Sequence, residues 1–209
     1  AGWGIPAPEL RPAGFNLDHR GIGAGEAFVA VKGREEHGLD YARAAVDAGA
    51  VAVIHDGRQT LPQLDVPAVK IDGLGYKLGE LASRYYAAPS ELMTIAGVTG
   101  SDGKTPVAHY LAQSWQRVHG NARVVGTPGD GPVGISPNGE RMAPDAIRLQ
   151  QVLADCAGAG VERLALEVSS SALRQSQLET VQFDAAIFTG SGNRQPNGYA
   201  DARRRLFTE

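Results

Sequence analysis

The stretch that decides the fold is Gly97-Val98-Thr99-Gly100-Ser101-Asp102-Gly103-Lys104-Thr105. It follows an apolar run, Met93 to Val98, that reads as a buried strand. It precedes Thr105 to Val118, which has helical spacing through Val107, Leu111, Trp115 and Val118. A strand, a glycine-rich turn and a helix in that order form the setting of a phosphate loop. Glycines let backbone N–H groups curl around phosphate oxygens, and the helix N-terminus adds a dipole that favours anions. Lys104 supplies a cation for the outer phosphates, and Thr105 offers a hydroxyl to a magnesium ion. The general pattern G-x-x-x-x-G-K-[ST] wants glycine at position 98, where this chain has Val98 flanked by Gly97 and Gly100. A chance Gly-Lys-Thr is the alternative reading, and the strand–loop–helix context argues against it. Pro106 fits the first turn of a helix.

Reading outward, Arg123 to Gly126 is a strand, and Pro128 to Gly139 carries the turn residues of a hairpin. Pro144 to Ala157 reads as a helix with Leu149, Val152, Leu153 and Cys156 facing inward. Arg163 to Val168 and Phe183 to Thr189 read as buried strands, and Leu173 to Leu178 and Ala200 to Phe207 as short helices. Before the loop, residues 1–16 read as an irregular lead-in. Ala27 to Val31, Ala50 to Ile54 and Pro67 to Ile71 read as strands. Gly38 to Ala48 reads as a helix ended by Gly49, and Leu74, Leu78, Leu81 and Tyr85 share one face of another that ends near Ala87. Ala88-Pro89-Ser90 reads as a linker. The expected fold is α/β: a small N-terminal α/β domain over 1–88, then a P-loop domain with a mostly parallel central sheet over 89–209.

Composition narrows the function. The chain has 209 residues, 43% hydrophobic and 21% charged, which suits a folded protein and not a disordered one. Its net charge of −3 provides no basic field for a nucleic-acid duplex. Cys156, the single cysteine, cannot form an internal disulfide and reads as a small core residue of a reducing compartment. No apolar run approaches the ~20 residues of a membrane span, and Ala1-Gly2-Trp3 does not open a signal peptide. A soluble, cytoplasmic protein is expected. The five histidines, His19, His37, His55, His109 and His119, show no metal-ligand spacing.

Gly97 to Thr105 resembles the G-x-T-G-T-N-G-K-T loop of the Mur ligases, which build the peptide of bacterial cell-wall precursors. Leu17-Asp18-His19-Arg20 and Gly25-Glu26-Ala27-Phe28-Val29-Ala30 resemble the family's L-D-S-R and G-D-L-F-V-A motifs. Gly126-Thr127-Pro128-Gly129-Asp130-Gly131 resembles G-T-x-G-x-G. Glu167-Val168-Ser169-Ser170-Ser171 resembles E-V-S-S-H, and Phe188-Thr189 the start of F-T-N-L-x-x-D-H-L-D. The order and spacing are similar to the MurE type, the UDP-N-acetylmuramoyl-tripeptide synthetases. The resemblance implies an ATP-dependent ligase. ATP phosphorylates a carboxylate of UDP-MurNAc-L-Ala-D-Glu to an acyl phosphate, and diaminopimelate or lysine displaces the phosphate. By position, Gly100, Ser101, Asp102, Gly103, Lys104 and Thr105 would bind ATP. Lys104, Thr105 and Glu167 would serve catalysis, with Thr105 and Glu167 holding Mg2+. Asp18, His19 and Arg20 would meet the uridine end of the UDP-MurNAc-peptide, and Ser169 and Gln175 its muramyl-peptide part.

Several positions depart from the family pattern. Ser171 stands where the family has a metal-binding histidine, and Gln177 where it has a substrate-anchoring arginine. Met142-Ala143-Pro144 replaces T-T-P, and Gly190 replaces the asparagine of F-T-N. Asn193-Arg194-Gln195-Pro196-Asn197 occupies the region of D-H-L-D. Arg203 lies near the family's carbamylated lysine, and a guanidinium cannot be carbamylated in that way. The chain also reaches only about the middle of the family's central domain, so that domain is read as partial. A bare sheet edge there is expected to be covered by self-association or by a second chain. Two readings follow: a MurE-type ligase, or an inactive or truncated nucleotide- or UDP-sugar-binding relative with a regulatory or scaffolding role. A generic P-loop NTPase is a third, and it leaves the N-terminal motifs unexplained.

Overall fold

Four parallel strands form the first of two sheets, in the order β1-β2-β3-β4, and here the lead-in departs from expectation. In a computed structural model, which describes residues 11–33, 36–57, 60–126, 129–132, 145–191 and 206–207, Phe15–Asn16 forms β1 on the edge of β2 (Ala27–Ala30). Two residues are too few to show a period in sequence; β1 exists because Phe15 is buried and pairs with Ala27. The strands β2, β3 (Ala52–His55) and β4 (Ala68–Lys70) fall where expected. All eight residues of β2 and β3 are buried, as continuous apolar runs of a covered parallel sheet should be.

The helix read over Gly38 to Ala48 is two pieces. A 3-10 turn, Gly38–Tyr41, leads into α1 (Ala42–Asp47). The His37 side chain accepts the Leu39 N–H while Asp40 accepts the His37 N–H, a reciprocal cap that tightens the first turn. Gly49 follows with φ +114, the left-handed exit that glycine permits. Phe28, Ala30, Leu39, Ala42, Ala45, Ala50 and Val53 pack as the core of this unit.

The chain divides into units Ala1–Leu78 and Gly79–Glu209, with the division inside α2 (Leu74–Tyr85). The second unit runs β5 (Thr94–Thr99), α3 (Lys104–His119), β6 (Ala122–Gly126), β7 (Gly129–Pro132), α4 (Ala146–Gly158), β8 (Arg163–Glu167), α5 (Ser170–Arg174) and β9 (Ala185–Phe188). Its sheet order is β7-β6-β8-β5-β9, parallel except for the β6–β7 hairpin. The hairpin lies within the expected turn-rich segment, whose remainder, together with Met142-Ala143-Pro144, Asn193 to Asn197, Arg203 and most of Ala200 to Phe207, falls outside the described residues.

Strand residues alternate between two helix-covered faces. Leu164 and Leu166 of β8 join Ile95, Val125, Leu149, Val152, Leu153 and Cys156 in one cluster. Ala165 joins Val98, Val124, Ala108 and Ala112 in the other. The inward face of α4 is thus the expected one, and its N-cap Asp145 accepts the Ile147 and Arg148 N–H groups.

On α3 the stripe is corrected. Ala108 and Ala112 are its fully buried residues, Val107, Leu111 and Trp115 flank them, and Val118 is 73% exposed. Small alanines let the helix backbone approach the sheet, which a count of large apolar residues does not reveal. Likewise α5 begins at Ser170 instead of Leu173, because the Ser169 hydroxyl caps it. The strand β9, read as buried, is the half-exposed edge of the described sheet, with Phe188 49% exposed.

Candidate functional site

The C-terminal ends of β5, β6, β8 and β9 bring together residues far apart in the chain. In open α/β sheets such strand ends form the ligand crevice. The turn after β5 bends at Gly100 (φ +153) and at Gly103 (φ +79), the N-cap of α3. A Cβ on Gly100 would stand 2.0 Å from Thr189 Oγ1, so no other residue fits without displacing Thr189. Lys104 extends back over the loop, its Nζ donating to the carbonyls of Gly100 at 2.9 Å and Ser101 at 3.2 Å.

Thr105, in the first turn of α3, donates from Oγ1 to Glu167 Oε2 at 3.0 Å. Glu167 is buried at the end of β8, and its Oε1 is buried with no hydrogen-bond partner among the described residues. Gly126, the last residue of β6, makes room for it: a Cβ there would lie 2.5 Å from the Glu167 Cβ. A buried carboxylate oxygen without a donor carries a desolvation cost that a cation would relieve. Carboxylate and hydroxyl oxygens are also the hard donors that magnesium prefers, so these residues fit that ion.

A third strand closes the loop. The Thr189 N–H donates to the Thr99 carbonyl at 2.9 Å, and the Ser101 N–H donates to the Gly190 carbonyl at 2.9 Å. The Thr189 Oγ1 donates to the Asp102 carbonyl at 2.5 Å and lies 3.3 Å from the Thr99 carbonyl. Sequence reading placed Phe188-Thr189 only as part of a motif. The sole available signal for this contact was the position of the motif at the end of a strand.

The other sequence-derived candidates form two further groups. In the first unit, Asp18 caps the 3-10 turn His19–Gly21 and accepts both the Arg20 N–H and its guanidinium. Those bonds, the side-chain one foremost, hold the Asp18 carboxyl down at about 2. The His19 ring stacks on Tyr41 at 4.4 Å and 5°. In the second unit, Ser169 accepts the Ala172 N–H, and Gln175 is exposed just beyond α5, where it donates to Ser171 Oγ and accepts from Gln177. The structure therefore unites Gly100, Ser101, Asp102, Gly103, Lys104, Thr105 and Glu167. It places Asp18, His19 and Arg20 as one cluster of their own.

Comparison with known proteins agrees with both units. The Mur ligase family, catalytic domain, matches residues 13–86, and the Mur ligase middle domain matches residues 98–193. The chain belongs to the Mur ligase family. Among curated relatives of this chain, the UDP-N-acetylmuramoyl-L-alanyl-D-glutamate--2,6-diaminopimelate ligase of Alkalilimnicola ehrlichii is 39% identical over 215 residues, covering 94% of this chain and 43% of that protein. The same ligase of Coxiella burnetii is 40% identical over 177 residues, covering 84% and 36%.

A solved ligase of that description superposes with a TM-score of 0.71 at 30% identity, covering 94% of this chain and 41% of the other. The MurF ligase of Thermotoga maritima, solved in complex with ADP, gives 0.63 at 25%, covering 97% and 43%. The chain thus spans about two fifths of the length of the relatives it matches. Among the described residues no helix is long and apolar enough to cross a membrane.

Proposed function

We propose that this Mur ligase chain supplies the nucleotide-phosphate and UDP-substrate contacts of an ATP-dependent ligase that adds diaminopimelate or lysine to UDP-MurNAc-L-Ala-D-Glu. The observation that carries the reading is the Thr105–Glu167 pair, whose buried Oε1 has no partner among the described residues, beside a loop that Lys104 spans. The ATP dependence of the family supports it. A carboxylate is a poor acyl donor, and phosphorylation gives it a good leaving group. Lys104 is placed to release its own loop carbonyls and neutralise the outer phosphates, while the N-terminus of α3 receives them. Thr105 and Glu167 would hold magnesium, which when bound offsets the repulsion between two anionic reactants. Asp18, His19 and Arg20 would receive the uridine end of the substrate, and Ser169 and Gln175 its muramyl-peptide part.

Binding is the direct test. Calorimetric titration of the 209-residue chain with Mg-ADP, and separately with UDP-MurNAc-L-Ala-D-Glu, is expected to give saturable one-site binding in each case. Absence of both overturns the reading.

One observation favours a second reading, a binding relative without turnover. Ser171 and Gln177, which stand where the resemblance implies a metal-binding histidine and an anchoring arginine, are both hydrogen-bonded to Gln175. ADP release in the presence of ATP, UDP-MurNAc-L-Ala-D-Glu and diaminopimelate separates the two: release supports the ligase, and binding without release supports the relative.

A further inference from the structure

We infer that Thr189 is a positioning residue of the phosphate loop, and that its hydroxyl sets the direction of the Gly103 N–H. The inference rests on the nucleotide reading above and extends it to a strand that enters the site 87 positions after the loop.

A tight turn rich in glycine has more than one accessible backbone path, because its peptide planes can flip. A loop that binds an anion needs its N–H groups fixed toward one side before the ligand arrives. In this chain the entry to the loop is held by ordinary ladder bonds: Thr99 receives the Thr189 N–H, and Ser101 donates to Gly190. Among the described residues the exit has no ladder partner. What holds it is the Thr189 hydroxyl, which donates to the Asp102 carbonyl at 2.5 Å.

A trans peptide is planar, so its C=O and N–H point in opposite directions. Pinning the Asp102 carbonyl toward Thr189 therefore turns the Gly103 N–H to the opposite side of that plane. Gly103 is the N-cap of α3, and N–H groups at a helix start have no partner within the helix. A flipped Asp102–Gly103 peptide would present a carbonyl oxygen to phosphate where a donor is needed. The same hydroxyl accounts for Gly100, whose Cβ would occupy its place. Thr189 itself is close enough to stabilise the loop from behind, and it is assigned no contact with the nucleotide.

The test uses Thr189→Val, which keeps the shape and removes the donor, and Thr189→Ser, which keeps the donor. The probe is Mg-ADP titrated into the full chain by calorimetry. The expected result is about tenfold weaker binding for Thr189→Val and recovery to within about twofold of the wild type for Thr189→Ser. A purely structural role for the threonine methyl would give the reverse order. Equal affinity of Thr189→Val and the wild type overturns the inference, as does a serine variant as weak as the valine one.

Should the valine variant fail to fold, the wild-type proton spectrum decides. A Thr189 hydroxyl proton protected from exchange supports the inference; a rapidly exchanging hydroxyl overturns it. A wild-type chain that does not bind Mg-ADP defeats the nucleotide reading itself, whereas wild-type binding with an unaffected Thr189→Val defeats only the role of Thr189.

Discussion

Thr105 and Glu167 are 62 positions apart in the chain, and their side chains meet at 3.0 Å across the ends of α3 and β8. The hydroxyl satisfies one carboxylate oxygen and leaves the other buried, without a donor among the described residues. Sites like this are stable only at a cost, and that cost is repaid when a cation enters.

The first prediction concerns that charge. Glu167→Gln keeps the size of the side chain and removes the anion. ADP affinity in the presence of magnesium is expected to fall about tenfold, roughly 1.4 kcal/mol, to the level the wild type shows in chelator. The thermal midpoint is expected not to fall, because a buried charge with an unpaired oxygen has been replaced by a neutral amide. Unchanged magnesium dependence in the variant contradicts the metal role of Glu167.

Gly126 provides a purely steric prediction. Its missing side chain is the space in which Glu167 lies, with the Glu167 Cβ, Cγ and Cδ all 2.5–2.7 Å from where a Cβ would sit. Gly126→Ala must push the glutamate or the end of β6 aside, and overpacking of this kind costs about 1–3 kcal/mol. Denaturant unfolding measures it; a change under about 0.5 kcal/mol shows that the cradle is looser than the geometry describes.

His55 predicts a dependence on pH. It is buried at the end of β3, and its Nδ1 accepts the Gly57 N–H at 3.1 Å, a bond that the neutral ring makes. Burial pushes its pKa below the ordinary 6.5; nearby Asp56 opposes that shift, and the charges of Lys70 and His37 reinforce it. The unfolded chain therefore takes up this proton more readily than the folded one. The contribution of His55 to stability is complete above about pH 6.5 and is lost as the pH falls toward the depressed folded value. The denaturation midpoint is expected to be lower at about pH 5.5 than at about pH 7.5. His55→Asn, which retains an acceptor for Gly57, is expected to narrow the gap. An unaltered gap in the variant assigns the dependence to other groups.

Sequence alone made most of this architecture legible, for a physical reason. Covered parallel strands are continuous apolar runs, and Ala27 to Ala30 or Leu164 to Leu166 can be read in isolation. The loop was legible because Gly103-Lys104-Thr105 acts through local backbone geometry. What escaped was tertiary. β1 needs β2 beside it to be a strand, and the buried face of α3 is set by how closely Ala108 and Ala112 approach the sheet. Glu167 could be named from its motif, but not the Gly126 hollow that accommodates it. Thr189 could be matched to a motif, but its hold on Asp102 depends on β9 lying beside β5.

The central claim is that the loop from Gly100 to Thr105 grips nucleotide phosphate, and Lys104 tests it most directly. In the structure its ammonium rests on the Gly100 and Ser101 carbonyls, within reach of the space the loop encloses. Mg-ADP titrated calorimetrically into the wild type and Lys104→Ala is expected to show binding weakened tenfold or more, at least about 1.4 kcal/mol. Equal affinity of the two proteins would contradict the account.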